Sequence, residues 1–151
     1  ILVSDNPDET CNCGKVGCLE SIVSAKKWTE KCKELGKIDS SSELSKAFSK
    51  LGIGSILFNK SITLTKEELD VRDKILFYLS RGLVSFFEIF NNEIFVLGGS
   101  MADKPYDLVE LLNEFILKNY EFKSRDFPLI EISKFKSDSG ILGAAILALN
   151  E

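Results

Sequence analysis

The chain has 151 residues, 44% of them hydrophobic, a formal net charge of −4 and no histidine. A polypeptide of this length suits one domain and typically buries about 70% of the surface its unfolded form exposes, so a core can form without disulfide support. The mild acidity, with basic and acidic residues interspersed, excludes the basic stripe of a nucleic-acid-binding surface. No apolar run approaches the roughly 20 residues that span a bilayer, and no signal peptide is legible, so the chain is expected to be cytoplasmic.

In chain order, Ile1 to Ser4 reads as a short strand already in progress. For that reason, and because the sequence opens on Ile rather than Met, a piece of a longer chain is expected. A polar turn, Asp5-Asn6-Pro7-Asp8-Glu9, leads into a cysteine cluster. A first helix is predicted from about Leu19 to Leu35, with Leu19, Ile22, Val23 and Trp28 at roughly helical spacing and Gly36 as its stop. Ser40 with Glu43 has capping-box spacing and predicts a second helix, ending near Gly52. Thr65 with Glu68 predicts another, opening a long helix with Leu69, Ile75, Leu76, Leu79, Leu83, Phe86, Phe87 and Phe90 on a broad apolar face. The phenylalanine-rich stretch Phe86-Phe87-Ile89-Phe90 is expected in the core. The acid pairs Glu67-Glu68 and Asp70-Asp73 are expected on the solvated face. After Asn91-Asn92 the continuous apolar run Ile94 to Leu97 suits a strand buried on both faces, closed by Gly98-Gly99. Pro105 opens a helix to about Tyr120, Leu129 to Ile132 forms another strand, and Gly140 to Leu149 a final small-residue helix. Strands alternating with helices predict an α/β lobe without a linker.

Cys11, Cys13 and Cys18 place three thiols within eight residues, and Gly14 and Gly17 allow the backbone to fold around a common point. Zinc takes thiolate ligands in tetrahedral sites, about 2.3 Å away. A redox or structural thiol group is the rival reading; a disulfide would leave one thiol of the cluster unpaired. Cys32 is the only other cysteine. On a helix starting at Leu19 it would lie roughly 20 Å along the axis from Cys18, at about 1.5 Å per residue. It is therefore read as an ordinary helix thiol, and the site as one ligand short. Taken alone, Glu20 is a carboxylate placed against a helix macrodipole. Gly98-Gly99 is a strand-to-helix turn, and Gly140 and Gly143 make a thin face for close helix-to-sheet packing.

The run Cys11-Asn12-Cys13-Gly14-Lys15-Val16-Gly17-Cys18-Leu19-Glu20 resembles the CxCGxxGCxE signature of the ROK family (repressors, open reading frames and kinases). Ile94 to Gly99 is similar to that family's strand and Gly-Gly turn, and Ser137 to Ala145 to its closing helix motif. Asn91-Asn92 stands where the family usually has Asp-Pro. The resemblance implies an actin-like ATPase (RNase H-like) fold, with residues 1–151 forming a C-terminal lobe, a mixed sheet flanked by helices. The zinc-binding segment would be 11–20 and the N-terminal lobe would be absent from the chain. It implies structural zinc on Cys11, Cys13 and Cys18, the fourth ligand being a histidine just before Ile1, so that zinc held by these residues alone would be weak or incomplete. It further implies sugar hydroxyls on Glu20 and the adenosine of Mg-ATP at Gly98, Gly99 and Ser100. A general base aspartate and phosphate loop are expected upstream. The expected activity is that of an ATP-dependent kinase of glucose, mannose or N-acetylhexosamine, commonly a homodimer. The alternatives are the sugar-sensing domain of a repressor and a zinc-stabilised interaction domain with no sugar role.

Overall fold

One long helix organises the structure, a computed structural model describing residues 1–24, 27, 30, 54–99, 107–123 and 125–149. Its start is set locally. The Thr65 hydroxyl accepts the Glu68 backbone N–H at 3.4 Å, while the Glu68 carboxylate accepts the Thr65 N–H at 2.7 Å. These bonds satisfy two of the donors that a helix start leaves open. Among the described residues the α-helices are α1 (Leu19–Val23), α2 (Gly54–Leu57), α4 (Leu108–Asn119) and α5 (Ser139–Leu149), the long helix itself being α3 (Lys66–Phe90), and α1, α2 and α4 pack on it. Strands β1 (Ile94–Leu97) and β2 (Leu129–Ile132) pair in parallel, Ile94 opposite Leu129 and Leu97 opposite Ile132, with α4 as the crossover.

The core lies where α3 and α4 meet the sheet. Phe58 and Leu112 are fully buried, among Ile75, Leu76, Leu83 and Ile116. Lys60 fastens α4 from outside: its backbone N–H donates to Asp107 at 2.7 Å and its ammonium to Glu110 and Glu114, both at 2.7 Å. Those carboxylates hold the Lys60 ammonium above its usual pKa.

Several expectations change. Ile1 to Ser4 forms a single antiparallel bridge, Leu2 to Cys18, and no longer strand. The first helix ends at Val23, where Ser24 turns extended with ψ 145. The axial distance that set Cys32 apart from the cluster therefore loses its premise, and Cys32 lies outside the described residues. So do Trp28, Gly36, the helix expected from Ser40, Ser100 and Pro105. Glu68 is buried, because it closes the cap. Of the phenylalanine stretch only Phe87 is buried; Ile89 and Phe90 are two-thirds exposed, because the core faces the opposite side of α3's last turn.

The strand expected to be buried on both faces is covered on one. Phe95, Leu97 and Ile130 face α3 and α4, while Val96 and Leu129 are largely exposed. The reason is that α5 buries none of its residues among those described, and no described residue approaches within 4 Å of where a Cβ at Gly140 or Gly143 would stand. The close packing expected of that thin face is thus not made here. No helix of the described residues is long and apolar enough to cross a membrane.

Leu112→Ala should destabilise the fold by about 2–5 kcal/mol. Ile89→Ala should stay within about 0.5 kcal/mol. Urea unfolding followed by circular dichroism measures both.

Candidate metal and sugar site

The cysteines sit on a tight antiparallel turn. Thr10 bridges Val16, the Cys11 N–H donates to the Lys15 carbonyl at 2.8 Å, and the Gly14 N–H donates to the Cys11 carbonyl at 2.9 Å. Gly14 takes φ +82, a conformation that L side chains rarely adopt. Gly17, at φ +73, meets a second demand: its carbonyl accepts the N–H groups of Val3 and Ser4. A Cβ there would lie 1.7 Å from the Ser4 carbonyl oxygen. Only glycine lets the return strand run this close to residues 3 and 4.

The result is convergence. The three sulfurs lie within 4.8 Å of one another, Cys13 and Cys18 at 3.5 Å. The Cys13 thiol is held below its ordinary pKa, first by the Lys15 backbone N–H and then by the Cys11 and Cys18 thiols. Cys18 is pushed up to about 11, first by its hydrogen bond with the Cys13 sulfur. A soft cation held by these sulfurs would displace their protons. Three soft sulfur donors in such a turn fit zinc, one short of the usual four. All three cysteines are free of disulfides.

Glu20, exposed in the first turn of α1, accepts a hydrogen bond from the Cys11 thiol at 3.5 Å. The sequence placed it after the cluster; the fold places its carboxylate against it. Ser21, buried beside it, donates to the Cys18 carbonyl at 2.8 Å and ties α1 to the turn.

Gly98 and Gly99 lie elsewhere, at the C-terminal ends of the parallel strands, the end at which open α/β sheets receive ligands. Gly99 has φ +85 and open space around it, and its N–H donates to the Lys136 carbonyl at 3.3 Å. Sequence reasoning passed over Ser133, whose hydroxyl is 2.8 Å from that of Ser139 and whose Cβ stands 3.7 Å from the position of a Cβ on Gly98. Its place directly after β2, beside the end of a parallel strand, was the available signal.

The parallel β-α-β unit braced by a long helix is a mixed α/β arrangement of the actin-like ATPase fold. A solved ROK family glucokinase from Streptomyces griseus, in complex with glucose and AMPPNP, has this fold over the whole chain at a TM-score of 0.72 and 19% identity, the chain covering 50% of it. The chain belongs to the ROK family, whose model matches residues 2–151. It is 30% identical over 143 residues to the glucokinase of Thermotoga maritima, covering 89% of this chain and 43% of that protein. It is also 23% identical over 152 residues to a putative xylose repressor of Caldicellulosiruptor sp., covering 99% of this chain and 38% of that one. The chain thus spans less than half the length of these curated relatives.

Gly17→Ala should cost more than about 3 kcal/mol, from both the clash and the backbone conformation. Gly14→Ala, where a Cβ meets nothing within 4 Å, should cost about 1–2 kcal/mol from its positive φ alone. Thermal and urea melts of the two variants separate these effects.

Proposed function

We propose that residues 1–151 form the C-terminal lobe of an ATP-dependent hexose kinase, contributing a structural zinc site, a sugar contact and part of the nucleotide border. The observation that carries this reading is the convergence of the Cys11, Cys13 and Cys18 sulfurs within 4.8 Å of one another, with Glu20 beside them in the first turn of α1. The glucokinase relatives from Thermotoga maritima and Halalkalibacterium halodurans, the latter 25% identical over 139 residues, support the activity.

On this reading Cys11, Cys13 and Cys18 hold zinc, with a fourth ligand from outside these residues. Bound zinc supplies charge and rigidity, as closed structural sites do. The chain's own residues do the rest. Glu20 offers two acceptor oxygens to neighbouring sugar hydroxyls, such as those of glucose, mannose or an N-acetylhexosamine. Its approach is fixed by the turn before it, so little side-chain freedom is lost when sugar binds. At the other end of the lobe, Gly98 and Gly99 leave room for the adenosine of Mg-ATP to approach the backbone, with Ser100 beside them. The base that takes the proton of the attacking hydroxyl, and the loop that holds the phosphates, belong to the remainder of the protein. In-line transfer of the γ-phosphoryl group then rests on positioning and charge neutralisation.

The putative xylose repressor among the relatives, aligned over 99% of this chain, supports a second reading: the sugar-sensing domain of a repressor. Both readings need zinc and Glu20; they differ in phosphoryl transfer.

The complete protein should contain zinc equimolar with chains, lost on Cys13→Ser, and should convert ATP to ADP in the presence of a hexose. Glu20→Gln should weaken sugar affinity about 10- to 100-fold, the worth of a hydrogen bond to a charged group. Metal analysis, a coupled ADP assay and sugar-dependent thermal shifts measure these outcomes. Sugar binding without ADP formation would favour the repressor; zinc without any response to sugars would leave only a zinc-stabilised interaction domain.

A further inference from the structure

The cysteine turn is docked on α3 by a single stripe of that helix, and the stripe is not part of any cysteine motif. Lys74, Tyr78 and Gly82 stand four residues apart, so they share one face on consecutive turns. Each makes a different contact with the metal segment. The Lys74 ammonium is 2.7 Å from the Glu9 carboxylate. The Tyr78 hydroxyl donates to the Ser4 hydroxyl oxygen at 3.4 Å. Gly82 leaves room for Leu19, whose Cδ2 would lie 2.6 Å from any Cβ at that position.

The Lys74–Glu9 pair is the directional one. An exposed ion pair contributes little, but the Glu9 side chain is only 13% exposed, so its carboxylate is shielded on most sides and leans on one cation. Glu9 is also where the turn is fixed: its carbonyl accepts the Gly17 N–H at 2.8 Å, and the Ser21 hydroxyl of α1 stands 3.5 Å from that oxygen. Holding the Glu9 side chain therefore fixes the outgoing arm before Cys11, the returning arm before Cys18, and the start of α1 that carries Glu20. Lys74 also lies 5.8 Å from the Tyr78 ring centroid, which restrains it over the same stripe.

We propose that Lys74, acting through Glu9, is a positioning residue for the metal-binding cysteines and, through them, for the Glu20 carboxylate. The proposal rests on the zinc reading above. It implies that metal affinity is set partly by a residue more than 50 positions beyond Cys18.

The test uses the complete protein with Lys74→Met, Glu9→Gln, the conservative Lys74→Arg, and the double swap of Glu9→Lys with Lys74→Glu. Zinc affinity is read by competition with a chromophoric chelator. Loss of an orienting partner around a metal site typically weakens binding about 10-fold or more, and this is expected of Lys74→Met and Glu9→Gln. Lys74→Arg should bind as the wild type does, and the swap should recover most of the loss. The metal-free variants should each still unfold cooperatively, so that the loss of zinc affinity is not a loss of fold, and the Michaelis constant for sugar should rise while turnover is retained. Wild-type affinity in Lys74→Met, or a swap no better than the single variants, overturns the proposal while leaving the zinc reading intact. A wild-type protein that binds no zinc overturns both.

Discussion

Two faces of one helix hold the two halves of the structure in register. The inward face of α3 buries Ile75, Leu76 and Leu83 against α4 and the sheet, and Phe87 against Phe122 and Phe127. A second stripe, rotated away from it, receives the cysteine turn through Lys74, Tyr78 and Gly82. The rise of α3, about 1.5 Å per residue, sets the distance between the cysteine turn and the βαβ unit. The cysteine turn and the Gly98-Gly99 end of the sheet are therefore referred to one helix rather than to the loops that carry their residues.

The cysteine turn shows how little sequence is needed when geometry is exacting. Two positive-φ glycines and one short bridge bring three sulfurs together, and the same turn aims its last residue into α1. The carboxylate of Glu20 then comes into contact with the cluster as a consequence of chain direction. Site and scaffold are the same few residues here, which is why substitution at Gly17 acts on both.

What was legible in the sequence was what is decided locally. The Thr65 and Glu68 cap, the apolar runs of β1 and β2 and the spacing of the cysteines need only neighbouring residues to specify them. What was not legible depends on partners far along the chain. Nothing near Glu68 says that the capping carboxylate is also buried. Periodicity carried the first helix past Ser24, where the backbone turns extended. Apolar composition put Ile89 and Phe90 in the core, but burial requires a facing surface and the core turns away from them. Lys74 is an ordinary helix lysine in sequence, and its role depends on Glu9, 65 residues earlier.

The far end of α3 has a different dependence. Asn91 terminates the helix in the left-handed region at φ 50, one that asparagine tolerates better than most residues, so the Asn-Asn pair serves here as a stop. The last turn of α3 contains no basic residue. Its negative pole is met instead by Arg125, which bonds Asn91 and the Phe87 carbonyl, pairs with Glu88 at 3.1 Å and lies 4.1 Å above the Phe87 ring. That cation arrives only after β1 and α4 have been traversed. The helix can therefore nucleate early at Thr65, but its final turn waits for the crossover to close and bring β2 alongside β1. Amide protons near Phe87 and Asn91 thus report on completion of the βαβ unit, whereas those near Thr65 report on the helix alone.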